Sequence, residues 1–238
     1  MLYDNPAASL QAILERGAQE EHTQPCHVVW TRVLDVKPGD PGGLFAKLGA
    51  VMDLPRRTLI LVQTSFPNQV KTTQLWTAEI ESAFMQQCLT GPWSSFANNI
   101  SPYCTAHLSL TAELIQTRLG AKLLLDEDLA KTLAGLSDLI TDIDSSALDD
   151  GLKAYLAREL SELQNSIRNY KTTGAVPILR QAEAMLGHSL LDQSYSNFLT
   201  NHALGIRLLE NLSAMANLLT VAVSLPQLTQ GLGALLLR

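Results

Sequence analysis

Residues 126–174, DEDLAKTLAGLSDLITDIDSSALDDGLKAYLARELSELQNSIRNYKTTG, decide the fold class. Their apolar positions run Leu129, Leu133, Leu136, Ile140 and Ile143, then Leu148, Leu152, Tyr155, Leu156, Leu163, Ile167 and Tyr170. Steps of three and four place side chains on one face of an α-helix, whereas a half-buried strand alternates with period two. The stretch predicts two helices packed as an antiparallel pair, the second about 23 residues long and ended by Gly174. Asp126 and Asp144 both read as residues that start a helix, with Glu127 and Asp128 favourably placed in a first turn.

Towards the C-terminus the periodicity predicts a helix over 177–186 stopped by Gly187, a long one from about Ser194 to Leu225, and a short one after Pro226. Towards the N-terminus, Pro25 suits a first helical position, and Cys26, Val29, Trp30, Val33 and Leu34 make one apolar stripe. Pro38, Gly39, Pro41, Gly42 and Gly43 break the chain before a helix beginning near Leu44. Prolines at 55, 67, 92 and 102 then shorten the elements, with helices expected over 44–53, 55–66, 69–89, 92–100 and 102–119. Thr58–Val62 also fits a buried strand, so that segment carries two readings.

The expectation is an all-α, multi-helix bundle. Residues 1–120 form a short-helix lobe with a core around Trp30, Trp76, Trp93, Phe84 and Phe96, and residues 121–238 form a long-helix bundle lobe.

Composition narrows the function classes. With 17% charged residues and a net charge of −6, the 238-residue chain lacks the basic field that neutralises phosphates, so generic nucleic-acid binding is not expected. The charged fraction lies below the quarter typical of soluble domains, which suggests surface covered by another chain. Three cysteines, widely spaced and without a leader-like N-terminus, read as reduced thiols of a cytoplasmic protein. No cofactor is implied.

From Asn211 to Leu237 no residue is charged. A membrane-spanning helix needs about 20 mostly apolar residues, and Asn217, Ser224, Pro226, Gln227, Thr229 and Gln230 interrupt this run. A partner-facing segment is the better reading, with Leu228, Leu232, Leu235, Leu236 and Leu237 as its contacts. Burying a leucine contributes about 1.5–3 kcal/mol. Ordering a residue costs about 1–2 kcal/mol. The two nearly cancel, so docking of this segment needs a groove or a second chain.

Candidate sites are sparse. His22 with Cys26 and Cys104 with His107 have spacings that zinc can use on a helix face, as a two-sulfur, two-nitrogen set. Buried thiols serving as small apolar side chains are the simpler reading. The run from Asp126 to Asp150 holds eight acids against Lys131, which reads as caps and a solvated turn, or as a docking surface for a basic partner. An ion site at Asp142 and Asp144 lacks the glycine and closing glutamate of an EF-hand. His202 reads as an interior histidine.

Arg16 and His22 have five residues between them. That spacing resembles the Arg-to-His pair of the helical ribonuclease fold of many bacterial toxins and defence proteins. The resemblance implies that the two side chains would act together on the scissile phosphate and the ribose hydroxyl. It spans seven residues, with Glu21 before His22 and Pro25 shortly after. A Trp-bearing early helix followed by long helices also resembles accessory proteins of bacterial defence and toxin–antitoxin systems.

The leading expectation is a non-enzymatic interaction module, an adaptor or regulatory subunit that meets a protein partner or a second copy through its apolar C-terminal segment. An RNA-cleaving toxin or defence effector using Arg16 and His22 is the second, and a membrane-associated helical protein anchored by 211–237 is the third.

Overall fold

A computed structural model describes residues 4–223, and among them every regular element is a helix. The chain divides into two compact units, Asn5–Ala121 and Met1–Asp4 with Lys122–Arg238.

The first unit contains α1 (Pro6–Gly17), α2 (Cys26–Val33), α3 (Pro41–Met52), α4 (Leu54–Ser65), a 3-10 turn (Pro67–Gln69), α5 (Val70–Gln86), α6 (Ser94–Ala97) and α7 (Pro102–Leu119). Local chemistry sets the boundaries. Asn5, Asp40 and Ser101 each accept a backbone N–H from the first turn of α1, α3 and α7, and a proline follows each of them. Gly120 ends α7 at φ 68°, a left-handed conformation that costs glycine nothing.

Of the two readings of Thr58–Val62, the helix stands. Leu54, Thr58 and Val62 are buried four residues apart, while Ile60 is 48% exposed. That period fits a helix face and not a strand. The helix expected over 92–100 shrinks to α6. Pro92 is held in an isolated bridge with Pro25, Trp93 and Ser94 give their backbone N–H groups to the carbonyls of Gln24 and His22, and the helix begins only at Ser94.

Trp30, Trp76 and Trp93 are all buried and all hydrogen-bonded. Their indole N–H groups donate to Gln87 Oε1 at 2.8 Å, Thr111 Oγ1 at 3.2 Å and the Gly17 carbonyl at 3.0 Å. Trp30 sits edge-on to Trp93, with centroids 4.9 Å apart, and lies 5.0 Å from Phe96. α1 packs on α4 and α7, and α5 packs on the same two helices.

The second unit contains α8 (Asp126–Ser145), α9 (Asp150–Arg168), α10 (Tyr170–Thr173), α11 (Val176–His188), α12 (Gln193–Asn201) and α13 (Ala203–Val223). α8 and α9 pack against each other across a short turn, as the periodicity predicts, and bury Leu136, Leu139, Ile143, Leu156, Leu160, Leu163 and Ile167. α11 covers α9, and α13 covers α8 and α12. At the other end of the chain, Asp4 Oδ1 accepts the Ala175 N–H at 3.0 Å.

Several boundaries differ from the sequence reading. Leu125, extended at ψ 146°, stands at the N-cap of α8, so Asp126 is its first helical residue and pairs with Lys171 at 2.6 Å. Asp144 lies in the last turn of α8, and the cap of α9 is Asp149, which accepts from Gly151 and Leu152. The 23-residue helix breaks at Asn169, leaving α10 as a single turn before Gly174. Gly187 does not stop α11, which runs through it.

The long helix from Ser194 breaks at His202, whose backbone turns extended at ψ 137°. Asp192 caps α12 through Ser194 and Tyr195, and His202 Nδ1 accepts the Leu204 N–H at 3.2 Å. The sharp bend brings Gly205 against the Phe198 carbonyl, where a Cβ would overlap the backbone. His202 is thus half-buried at a helix junction rather than interior. The short helix expected after Pro226 lies outside the described residues.

Candidate functional site

Arg16, in the last turn of α1, directs its guanidinium fork at Asp35, with one nitrogen 3.0 Å from each carboxylate oxygen, and donates to the Arg32 carbonyl at 3.1 Å. Asp35 follows α2 at φ 50°. The arginine therefore holds the exit of α2. His22 is exposed in the turn between α1 and α2, and its carbonyl accepts the Ser94 N–H.

The candidate zinc ligands are committed to different places. Cys26 is buried, with its sulfur 3.3 Å from the Pro92 carbonyl and 3.4 Å from Ser95 Oγ. Cys104 is buried against the Trp76 carbonyl at 3.5 Å, and burial pushes its thiol up to about 12. His107 packs edge-on to Tyr103, ring centroids 4.1 Å apart. No group of three or more His, Cys, Asp or Glu placed to hold a metal ion occurs among the described residues.

The acidic run is dispersed along α8 and its ends. Asp126 pairs with Lys171, Asp142 with Arg207, and Asp149 caps α9. Asp144 offers its carbonyl to Lys153 Nζ at 3.1 Å.

Among the described residues of the second unit, a groove of about 710 Å³ lies between α13 and the start of α8. Leu123, Leu124 and Leu125 form one wall, Thr132 and Gly135 the floor on α8, and Ala214 and Leu218 the wall on α13. Lys122, Lys131 and Asp128 stand among them, with Asn211 and Asn217. Two features build this shape. Gly135 lets α13 approach, since a Cβ there would come 2.9 Å from Asn211 Oδ1. The leucine wall is pinned from below, because the buried Tyr170 hydroxyl accepts the Leu124 N–H at 3.2 Å. Burial pushes that phenol up to about 12, so it stays protonated across the physiological range. Leu125 remains 67% exposed.

A second hollow of about 520 Å³ lies beside the groove along α13, lined by Leu199, Ile206 and Leu209. Ala214 and Asn217 line both concavities. α13 thus borders two adjoining concavities. The periodicity reading passed over the groove wall, although three consecutive leucines just beyond the Gly120 stop are a visible signal. The leucines at 228, 232 and 235–237 lie outside the described residues. The same holds for the end of the 211–237 segment, and no described helix is long and apolar enough to cross a membrane.

In comparisons with known proteins, no protein family, no curated protein and no solved structure matches the chain.

Proposed function

We propose that this protein is a non-enzymatic interaction module, an adaptor or regulatory subunit, whose second unit takes an apolar segment of a protein partner into the groove between α8 and α13. A second copy of this chain is the first partner to test. The observation that carries the reading is the groove itself: about 710 Å³ walled by leucines, with exposed Leu125 at its lip and charges of both signs beside it. Apolar centre and polar rim are the make-up of protein interfaces. Lys122, Lys131 and Asp128 would set the orientation of the segment rather than its affinity.

The low charged fraction of the sequence and the absence of charged residues from Asn211 to Leu237 point the same way. Self-association through this surface explains both without a further ligand. Light scattering of the full chain over a range of concentrations is the test. The expected result is a mass that rises above the monomer and returns to it in Leu125→Glu, with the helical spectrum unchanged. A wild-type chain that stays monomeric at every concentration contradicts self-association as the use of the groove.

A further inference from the structure

The loop after α5 carries chemistry that the interaction reading does not use. Residues 88–92, Cys-Leu-Thr-Gly-Pro, fold back onto the start of α2. The Gly91 carbonyl accepts the Cys26 N–H at 2.8 Å and the Leu89 carbonyl accepts the His27 N–H at 2.9 Å. His27 Nδ1 lies 2.9 Å from that same Leu89 carbonyl, so it is the ring's protonated nitrogen. A tight turn, with Gly91 N–H donating to the Cys88 carbonyl at 2.9 Å, wraps the loop around the Cys88 side chain. Gly91 is required for this closeness: a Cβ there would come 2.9 Å from Cys88 Cβ and 3.1 Å from its sulfur.

The two thiols in this corner differ in every property that matters for exchange. Cys88 is exposed and Cys26 is buried. The Thr90 hydroxyl, 3.5 Å from the Cys88 sulfur, and then the neighbouring N–H groups of Gly91 and Thr90 hold its thiol below the ordinary range, which favours the nucleophilic thiolate. Burial moves Cys26 the other way, and its contact with Ser95 offsets part of that rise. One side chain links them. Ser95 Oγ accepts the Cys88 N–H at 3.0 Å and touches the Cys26 sulfur at 3.4 Å. The third cysteine, Cys104, is buried elsewhere against Trp76.

We propose that Cys88 and Cys26 are a thiol–disulfide couple, Cys88 being the attacking thiol and Cys26 the resolving one, and that their oxidation by a small disulfide locks the α5–α6 loop to the start of α2. The Cys88 thiolate attacks one sulfur of the oxidant, forms a mixed disulfide and releases the other half as a thiolate. Cys26 then loses its proton to that leaving thiolate and attacks the Cys88 sulfur, forming the Cys26–Cys88 bond and expelling the second half. Two protein thiols are oxidised by two electrons, and the small disulfide is reduced to two thiols.

The test equilibrates the full chain with mixtures of reduced and oxidised glutathione, quenches in acid and maps free and linked cysteines by mass. The expected result is one Cys26–Cys88 link per chain with Cys104 still a thiol, reversed by dithiothreitol. Cys26→Ser should stop at a glutathione adduct on Cys88, and should that variant not fold, the wild-type map decides alone. Three free thiols at every ratio, a stable adduct on Cys88 beside free Cys26, or Cys88 linked between chains would each overturn the proposal.

Discussion

The core of Asn5–Ala121 is built on three tryptophans and two phenylalanines brought together by short helices, whereas the core of the second unit is a leucine and isoleucine seam along long ones. The difference lies in what each kind of side chain demands. An indole buries a large surface but also carries an N–H that must find an acceptor. Trp93 finds the Gly17 carbonyl 76 positions away in sequence, so its burial fixes one arrangement of distant segments. A leucine has no such demand and accepts any apolar face. The second unit can therefore leave Leu123–Leu125 and the flank of α13 as an open groove at small cost to its own fold.

The sharpest way to break this comparison is to cut one large side chain from each core. Trp30→Ala removes a ring that meets Phe84, Trp93 and Phe96, and should cost about 4 kcal/mol in chemical denaturation. Leu160→Ala in the second seam should cost about 3 kcal/mol. Tryptophan emission follows only the first unit, because all three tryptophans are there. If the units hold together by separate cores, Leu160→Ala should shift the helical signal while leaving the emission midpoint nearly in place.

A smaller effect separates them at alkaline pH. Cys104, buried in the first unit, ionises near 9.0 when unfolded and about 12 in the fold. A raised acid of this kind contributes its full share of stability below pH 9 and loses it as the pH climbs through 12. Cys104→Ala should therefore flatten the fall in first-unit stability over that window, even though the lost packing lowers stability at neutral pH. Tyr170 does the same for the second unit from 10.0 to about 12.

The smallest expected effect concerns Arg16, the residue that the sequence marks for catalysis. Its pair with Asp35 is largely solvent-exposed, so Arg16→Ala should cost at most about 1 kcal/mol. A loss several times larger would mean that the exit of α2 depends on this fork far more than its exposure implies.

Periodicity in the sequence reads the second unit well where one face of a helix is continuously apolar, as along Leu129–Ile143 and Leu156–Ile167. It fails where long-range contacts decide. The break at His202 is invisible because Ser194–Val223 is apolar enough to continue as one helix. The bend depends on Gly205 meeting the Phe198 backbone and on His202 accepting the Leu204 N–H. Segment 92–100 reads as helical by composition, but Trp93 and Ser94 give their N–H groups to residues some 70 positions earlier. α1 is missed because its apolar face, Ala7, Leu10 and Ile13, is short and small. Of the groove, sequence supplies the leucines at 123–125 but not their partner wall, since Gly135 and Asn211 come together only through the packing of α8 on α13.

The partner-binding claim is tested most directly by hydrogen–deuterium exchange of the full chain at low and high concentration. Binding in the groove predicts slower exchange at high concentration over residues 122–135 and 211–218, with first-unit peptides unchanged. Concentration-independent exchange in those two stretches, or protection confined to the first unit, would contradict it.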